Sequence, residues 1–149
     1  ILFKLDISIL LILKYEDKSF LIDKNGIILN NYNENSSLIV IYGIKINEKE
    51  SKIEESEKLI ILSELEKWYN YFNIKNYFKI SRIDISNLNK IEISDGERSI
   101  LLTSVKLKEK MEKLSFILKQ IKKNFEYIDM RFKDAYIKIR NEGTNNYSG

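Results

Sequence analysis

The chain has 149 residues, 44 % of them hydrophobic and 32 % charged, and its 25 basic against 22 acidic residues leave a net charge of +3. A chain of this length buries about 68–70 % of the surface it exposes when unfolded, enough for a single domain with a true core and against disorder throughout. The small, dispersed positive charge makes no clustered basic face of the kind nucleic-acid binding demands. With neither cysteine nor histidine in the chain, disulfides, thiolate metal sites, cysteine nucleophiles and the commonest neutral-pH base are excluded.

The first third reads as strands and tight turns. ISILLILKY (7–15) is aliphatic and β-branched, and its apolar core is far short of the roughly 20 residues that span a bilayer. It also lacks the flanks and cleavage site of a signal peptide. FLIDKNGIIL (20–29) places two apolar runs around Asp23-Lys24-Asn25-Gly26, where Asn-Gly tolerates the positive φ of a hairpin turn. LIVIYGIKI (38–46) follows a polar Asn/Ser loop and is another extended run, interrupted by Gly43.

From about Glu48 to Phe72 the period becomes helical. Ile61, Leu65, Trp68 and Phe72 form an apolar stripe expected to face the core, and Ser51 with Glu54 suggests a capping box. Strands return in ISRIDIS (80–86), then in KIEIS and RSILL around Ser94-Asp95-Gly96-Glu97, a second hairpin signal. A second helix is predicted over 105–124, with Leu107, Met111, Leu114, Leu118 and Ile121 on one side. Lys108/Glu112 and Glu109/Lys113 are four apart on its exposed side. The sum is an α+β fold: a mostly antiparallel β-sheet with two amphipathic helices packed on one face.

The last ordered stretch, YIDMRFKDAYIKIR (127–140), alternates as a strand, a two-residue kink at Lys133-Asp134, and a second strand. Ala135, Ile137 and Ile139 share one parity, and Tyr136, Lys138 and Arg140 the other. Nothing then follows to cover that strand except the polar tail 141–149, expected to be disordered. The pattern leaves two readings open. Either the edge pairs internally and Lys138 and Arg140 guard it against aggregation, or its free N–H and C=O groups await another chain.

Chemistry is poorly supported. The five glycines form no phosphate-binding loop, no G-x-S-x-G elbow is present, and Asp23, Asp84, Asp95 and Asp129 occupy turns or polar strand positions. No cofactor and no metal site is indicated, and an enzyme using a carboxylate pair has no specific motif behind it.

The order of segments resembles the C-terminal β-domain of the bacterial cell-division proteins FtsQ and DivIB. FLIDKNGIIL, LIVIYG, the helix near 50–72, ISRIDIS, KIEISDGERSILL and KMEKLSFILKQI each have a counterpart, over roughly residues 5–140. YIDMRF is similar to the family's Asp-Leu-Arg-Tyr motif, with Met and Phe substituted. The resemblance implies a non-enzymatic scaffold that binds FtsB/DivIC-like and FtsL-like partners by β-strand addition to its last strand. It implies a plasma-membrane protein, single-pass, with this domain on the extracytoplasmic side. Residues 1–16 are expected to end an upstream POTRA domain, 17–140 to form the β-domain, and the membrane helix to lie in a missing N-terminal part. Transferred by position, the partner-binding residues are Phe132, Asp134, Tyr136, Lys138 and Arg140. The alternative is a secreted or envelope β-rich binding module with another protein partner.

Overall fold

A computed structural model describes residues 11–16, 18–22, 28–31, 39–47, 49 and 52–141. The strands are β1 (Leu11–Tyr15), β2 (Lys18–Ile22), β3 (Ile28–Asn31), β4 (Val40–Tyr42), β5 (Ile46–Asn47), β6 (Lys52–Ile53), β7 (Arg82–Asp84), β8 (Ile91–Ser94), β9 (Ser99–Leu102), β10 (Phe125–Asp129) and β11 (Tyr136–Ile139). The helices are α1 (Ser56–Tyr71) and α2 (Leu107–Gln120). Nine strands form one sheet in the order β11-β10-β9-β8-β7-β4-β1-β2-β3, and β5 pairs with β6 apart from it. The expected boundary at residue 16 falls just after β1, which lies inside the sheet between β4 and β2.

Alternation along a strand sends every second side chain to the same face. Register then aligns Leu13, Ile41, Ile83, Ile93, Ile100, Ile128 and Ile137 opposite one another across seven adjacent strands. All are buried except Ile137 on the outermost strand, which is half-buried. Each aliphatic side chain of this size contributes about 1.5–3 kcal/mol when fully buried. The neighbouring row points the other way and is largely polar, with Asp129, Leu101, Glu92, Asp84 and Tyr42 in register.

Five of the eight pairings in the nine-stranded sheet are antiparallel, so the α+β, mostly antiparallel expectation holds. The other three, β1·β4, β4·β7 and β9·β10, are parallel. A parallel neighbour cannot be reached by a tight turn. The chain therefore passes through α1 between β4 and β7, and through α2 between β9 and β10. β4 and β9 point the same way, and both crossovers step in the same direction along the sheet. The common hand of such connections accordingly puts both helices on one face, where they touch each other.

α2 matches its predicted stripe closely, with Leu107, Met111, Leu114 and Leu118 buried and Ile121 packed against them. The predicted side-chain pair Glu109/Lys113 gives way to a longer reach, since Lys113 Nζ donates to the Lys133 carbonyl at 2.9 Å. α1 begins later than its period suggests. Ile46 and Ile53 are buried in the β5–β6 ladder, and no side chain caps the helix. Ser51 lies outside the described residues, and the carboxylate of Glu55 accepts the Lys45 N–H at 2.8 Å. The buried side of α1 is Lys58, Leu62 and Leu65, while Ile61, Trp68 and Phe72 are only partly covered. Trp68 stacks on Phe72 at 5.8 Å, and the ammonium groups of Lys67 and Lys108 lie over its indole.

The β8–β9 turn forms as its Asp-Gly predicts: Asp95 Oδ1 accepts the N–H groups of Glu97 (2.9 Å) and Arg98 (2.7 Å), and Gly96 takes φ +101°. β2 and β3 pair as a hairpin, while their turn at 23–27, the loop 32–38 and tail residues 142–149 lie outside the described residues. The connection between β10 and β11 is longer than the predicted two-residue kink, running from Met130 to Ala135.

A clamp closes the carboxyl ends of β4 and β7. Lys58 Nζ donates to the carbonyls of Gly43 (2.8 Å) and Ser86 (3.3 Å) and pairs with Glu55 at 3.1 Å. Gly43 has φ +95°, and a Cβ there would lie 2.3 Å from the Ser86 nitrogen. Gly43→Ala is therefore expected to destabilise the chain by about 2–4 kcal/mol, read by urea denaturation, from backbone strain and the backbone contact together. A loss below about 0.5 kcal/mol, the size of an ordinary surface change, would remove the clamp from this account.

Candidate partner-binding edge

β11 is the last strand on one side of the sheet, and among the described residues nothing pairs with its outer rim. Backbone groups of an antiparallel strand alternate between its two sides. Arg140 N–H donates inward to the Asn124 carbonyl at 3.0 Å, so Tyr136 and Lys138 also bond inward. The N–H and C=O groups of Ile137 and Ile139 therefore point outward. A bulge at Glu126, where the register shifts between Phe125 and Tyr127, keeps Phe125 in the core beside Ile139 and bends the edge.

The loop leading into this strand is held by an ion pair. Asp129 is buried on β10, and Arg131 meets it as a fork, with Nε on Oδ1 at 2.9 Å and Nη2 on Oδ2 at 2.8 Å. The Arg131 N–H adds a third bond to Oδ1 at 3.0 Å. The Arg131 hydrogen bonds hold the Asp129 carboxyl below its ordinary range, against the opposing effect of burial. With its backbone and guanidinium both turned to Asp129, Arg131 carries the chain out of the strand direction, and its guanidinium lies 5.1 Å from the Phe132 ring centre. Met130 stays buried, whereas Phe132, two residues further on, leaves the sheet and is 67 % exposed.

The five residues picked from the sequence fall in one strip at the edge, but they are not equivalent. Phe132 and Asp134 are exposed in the loop. Tyr136 opens β11, is 60 % exposed, and stacks on Tyr127 with ring centres 6.0 Å apart. Lys138 is exposed and lies 3.7 Å from Glu126. Arg140 is half-buried, and its Nη2 donates to the Glu97 carbonyl at 2.8 Å. Sequence reasoning missed the Asp129–Arg131 fork, although an Asp-x-Arg spacing at a strand end was its signal. It also missed the bulge, for which no local signal exists.

The family model for the C-terminal region of the cell division proteins FtsQ/DivIB matches residues 12–131. The chain belongs to the FtsQ/DivIB family. Its role is accordingly in cell division, and the family is a non-enzymatic one. No curated protein matches the chain. The family match runs from the second residue of β1 to Arg131, so it includes the Asp129–Arg131 fork and stops one residue before Phe132. Among the described residues no helix is long and apolar enough to cross a membrane, and no three metal-ligating side chains come together.

The fork makes an acid-sensitive element. A carboxyl whose folded pKa is depressed stabilises the fold at pH values above its unfolded pKa of about 4, and that contribution is lost as pH falls through the folded value. Asp129→Asn should therefore lower stability at pH 7, and its deficit against the parent should shrink below about pH 4, followed by denaturation at several pH values. A deficit that stays constant down to acid pH would mean that the charge of Asp129 is not what matters.

Proposed function

We propose that this chain is the extracytoplasmic β-domain of a single-pass plasma-membrane scaffold that binds FtsB/DivIC-like and FtsL-like division proteins by accepting a partner strand along β11. The observation that carries the proposal is the outward-facing backbone of Ile137 and Ile139 at the end of a nine-stranded sheet. Strand addition draws affinity from main-chain hydrogen bonds and specificity from alternate side chains. Here those alternate side chains are Tyr136 and Lys138 on the open face, with Phe132 and Asp134 at the entrance of the strand. Arg140 closes the far end, with its Nη2 donating to the Glu97 carbonyl. Exposed aromatic residues beside desolvating backbone are the usual hot spots of an interface.

Hydrogen exchange of the chain with and without the soluble FtsB/DivIC–FtsL-type pair of its own organism should show protection appearing at residues 132–140 on mixing. Phe132→Ala or Tyr136→Ala should each weaken binding by about 1–3 kcal/mol by calorimetry. Ile137→Pro should abolish binding while leaving the fold intact, because it removes an outward donor and no inward one. Strong protection of the Ile137 and Ile139 amides before the pair is added, or unimpaired binding by Ile137→Pro, would move the interface elsewhere.

A further inference from the structure

Beside the edge lies a groove of about 330 Å³ between the first half of α2 and the chain leaving β10. Among the described residues its cations are Lys106, Lys110, Lys113, Arg131 and Lys133, and its one carboxylate is Glu109. Arg131 is compensated by Asp129 at 2.8 Å. That leaves four lysines facing one glutamate.

The hydrogen bonds made by these lysines do not quench them. Lys113 donates to the Lys133 carbonyl and Lys110 to the Val105 carbonyl, both neutral acceptors. Lys106 stands at the N-cap of α2 with φ +54°, a left-handed conformation that costs a lysine free energy and that recurs at ligand clamps. The exposed ring of Phe132 supplies an apolar wall, and β11 begins shortly beyond Lys133. A chain laid along β11 and continued past Tyr136 therefore runs toward the groove.

We infer that the groove receives an acidic stretch of the same partner chain whose strand adds to β11, with carboxylates meeting Lys106, Lys110 and Lys133 and one apolar side chain against Phe132. The inference rests on the strand-addition reading and deepens it: the strand gives affinity through the backbone, and the charged groove steers and orients the approaching chain. A polyphosphate fits less well, because Glu109 stands among the lysines and one wall is aromatic.

The test measures association and dissociation rates of the soluble FtsB/DivIC–FtsL-type pair on the full chain at several salt concentrations. The variants are Lys106→Glu with Lys133→Glu, the same two positions changed to Gln, and Ile137→Pro. The two lysine side chains make no hydrogen bond that the fold needs, and hydrogen exchange verifies the fold of each variant. The charge reversal is expected to slow association about tenfold or more and to flatten its salt dependence, with dissociation changing less, and the Gln variant to fall between. If the reversal leaves rates and salt dependence unchanged while Ile137→Pro abolishes binding, the groove assignment is overturned and strand addition stands. Normal binding by Ile137→Pro, or no binding by the parent chain, removes both. Salt-dependent sedimentation with phosphatidylglycerol vesicles that the reversal abolishes, with partner rates unchanged, would give the groove to the membrane instead and overturn the inference.

Discussion

The structure depends on one row of aliphatic side chains. Leu13, Ile41, Ile83, Ile93, Ile100, Ile128 and Ile137 come from seven strands scattered over most of the chain, yet register puts them in line on one face. A slip of one residue in any of these seven strands would turn its member of the row toward the polar face, so burying the row fixes their registers together. The helices are placed by the same requirement. Two crossovers of like hand bring the apolar sides of α1 and α2 over this face, and Leu62, Leu65, Met111, Leu114 and Leu118 complete the core.

The row also explains where the sheet stops being closed. Its members are fully buried in the middle and only half-buried at Ile137, where among the described residues β11 has a neighbour on one side alone. An open edge invites unwanted pairing, and this one carries several features that discourage it: a four-residue strand, a bulge at Glu126, and the charged pair Lys138–Glu126 on its open face. These features select among partners without sealing the edge. A chain matched to a short, twisted, positively flanked strand can still pair, while a flat hydrophobic strand meets a poor template.

The chain leaving β10 links the core to the edge. Asp129 is the last residue of β10, and its fork with Arg131 turns the backbone so that Phe132 faces outward while Met130 remains inside. Lys113 of α2 then holds the Lys133 carbonyl, fixing the loop against the helix and forming one wall of the basic groove. Charge and shape near the edge thus follow from two interactions, one between residues two apart and one between residues distant in sequence.

Local pattern determined much of this protein. The periods of α2, β8 and β9, the Asp-Gly turn and the alternation of YIKI were legible because each is decided by neighbours in the chain and by which residues tolerate a given backbone conformation. YIDMRF carried the family resemblance for the same reason. Other features were decided only in three dimensions. The parallel pairings depend on crossovers that bring remote strands together, and the late start of α1 on Ile46 and Ile53 finding each other in a small ladder. Lys58 reads as a surface lysine by type and is buried because two carbonyls from separate strands converge on it. The gathering of Lys106, Lys110, Lys113 and Lys133 around one groove is equally invisible in a sequence whose charges alternate in sign. Long-range packing chooses which of many dispersed charges become neighbours, and no local preference encodes that choice.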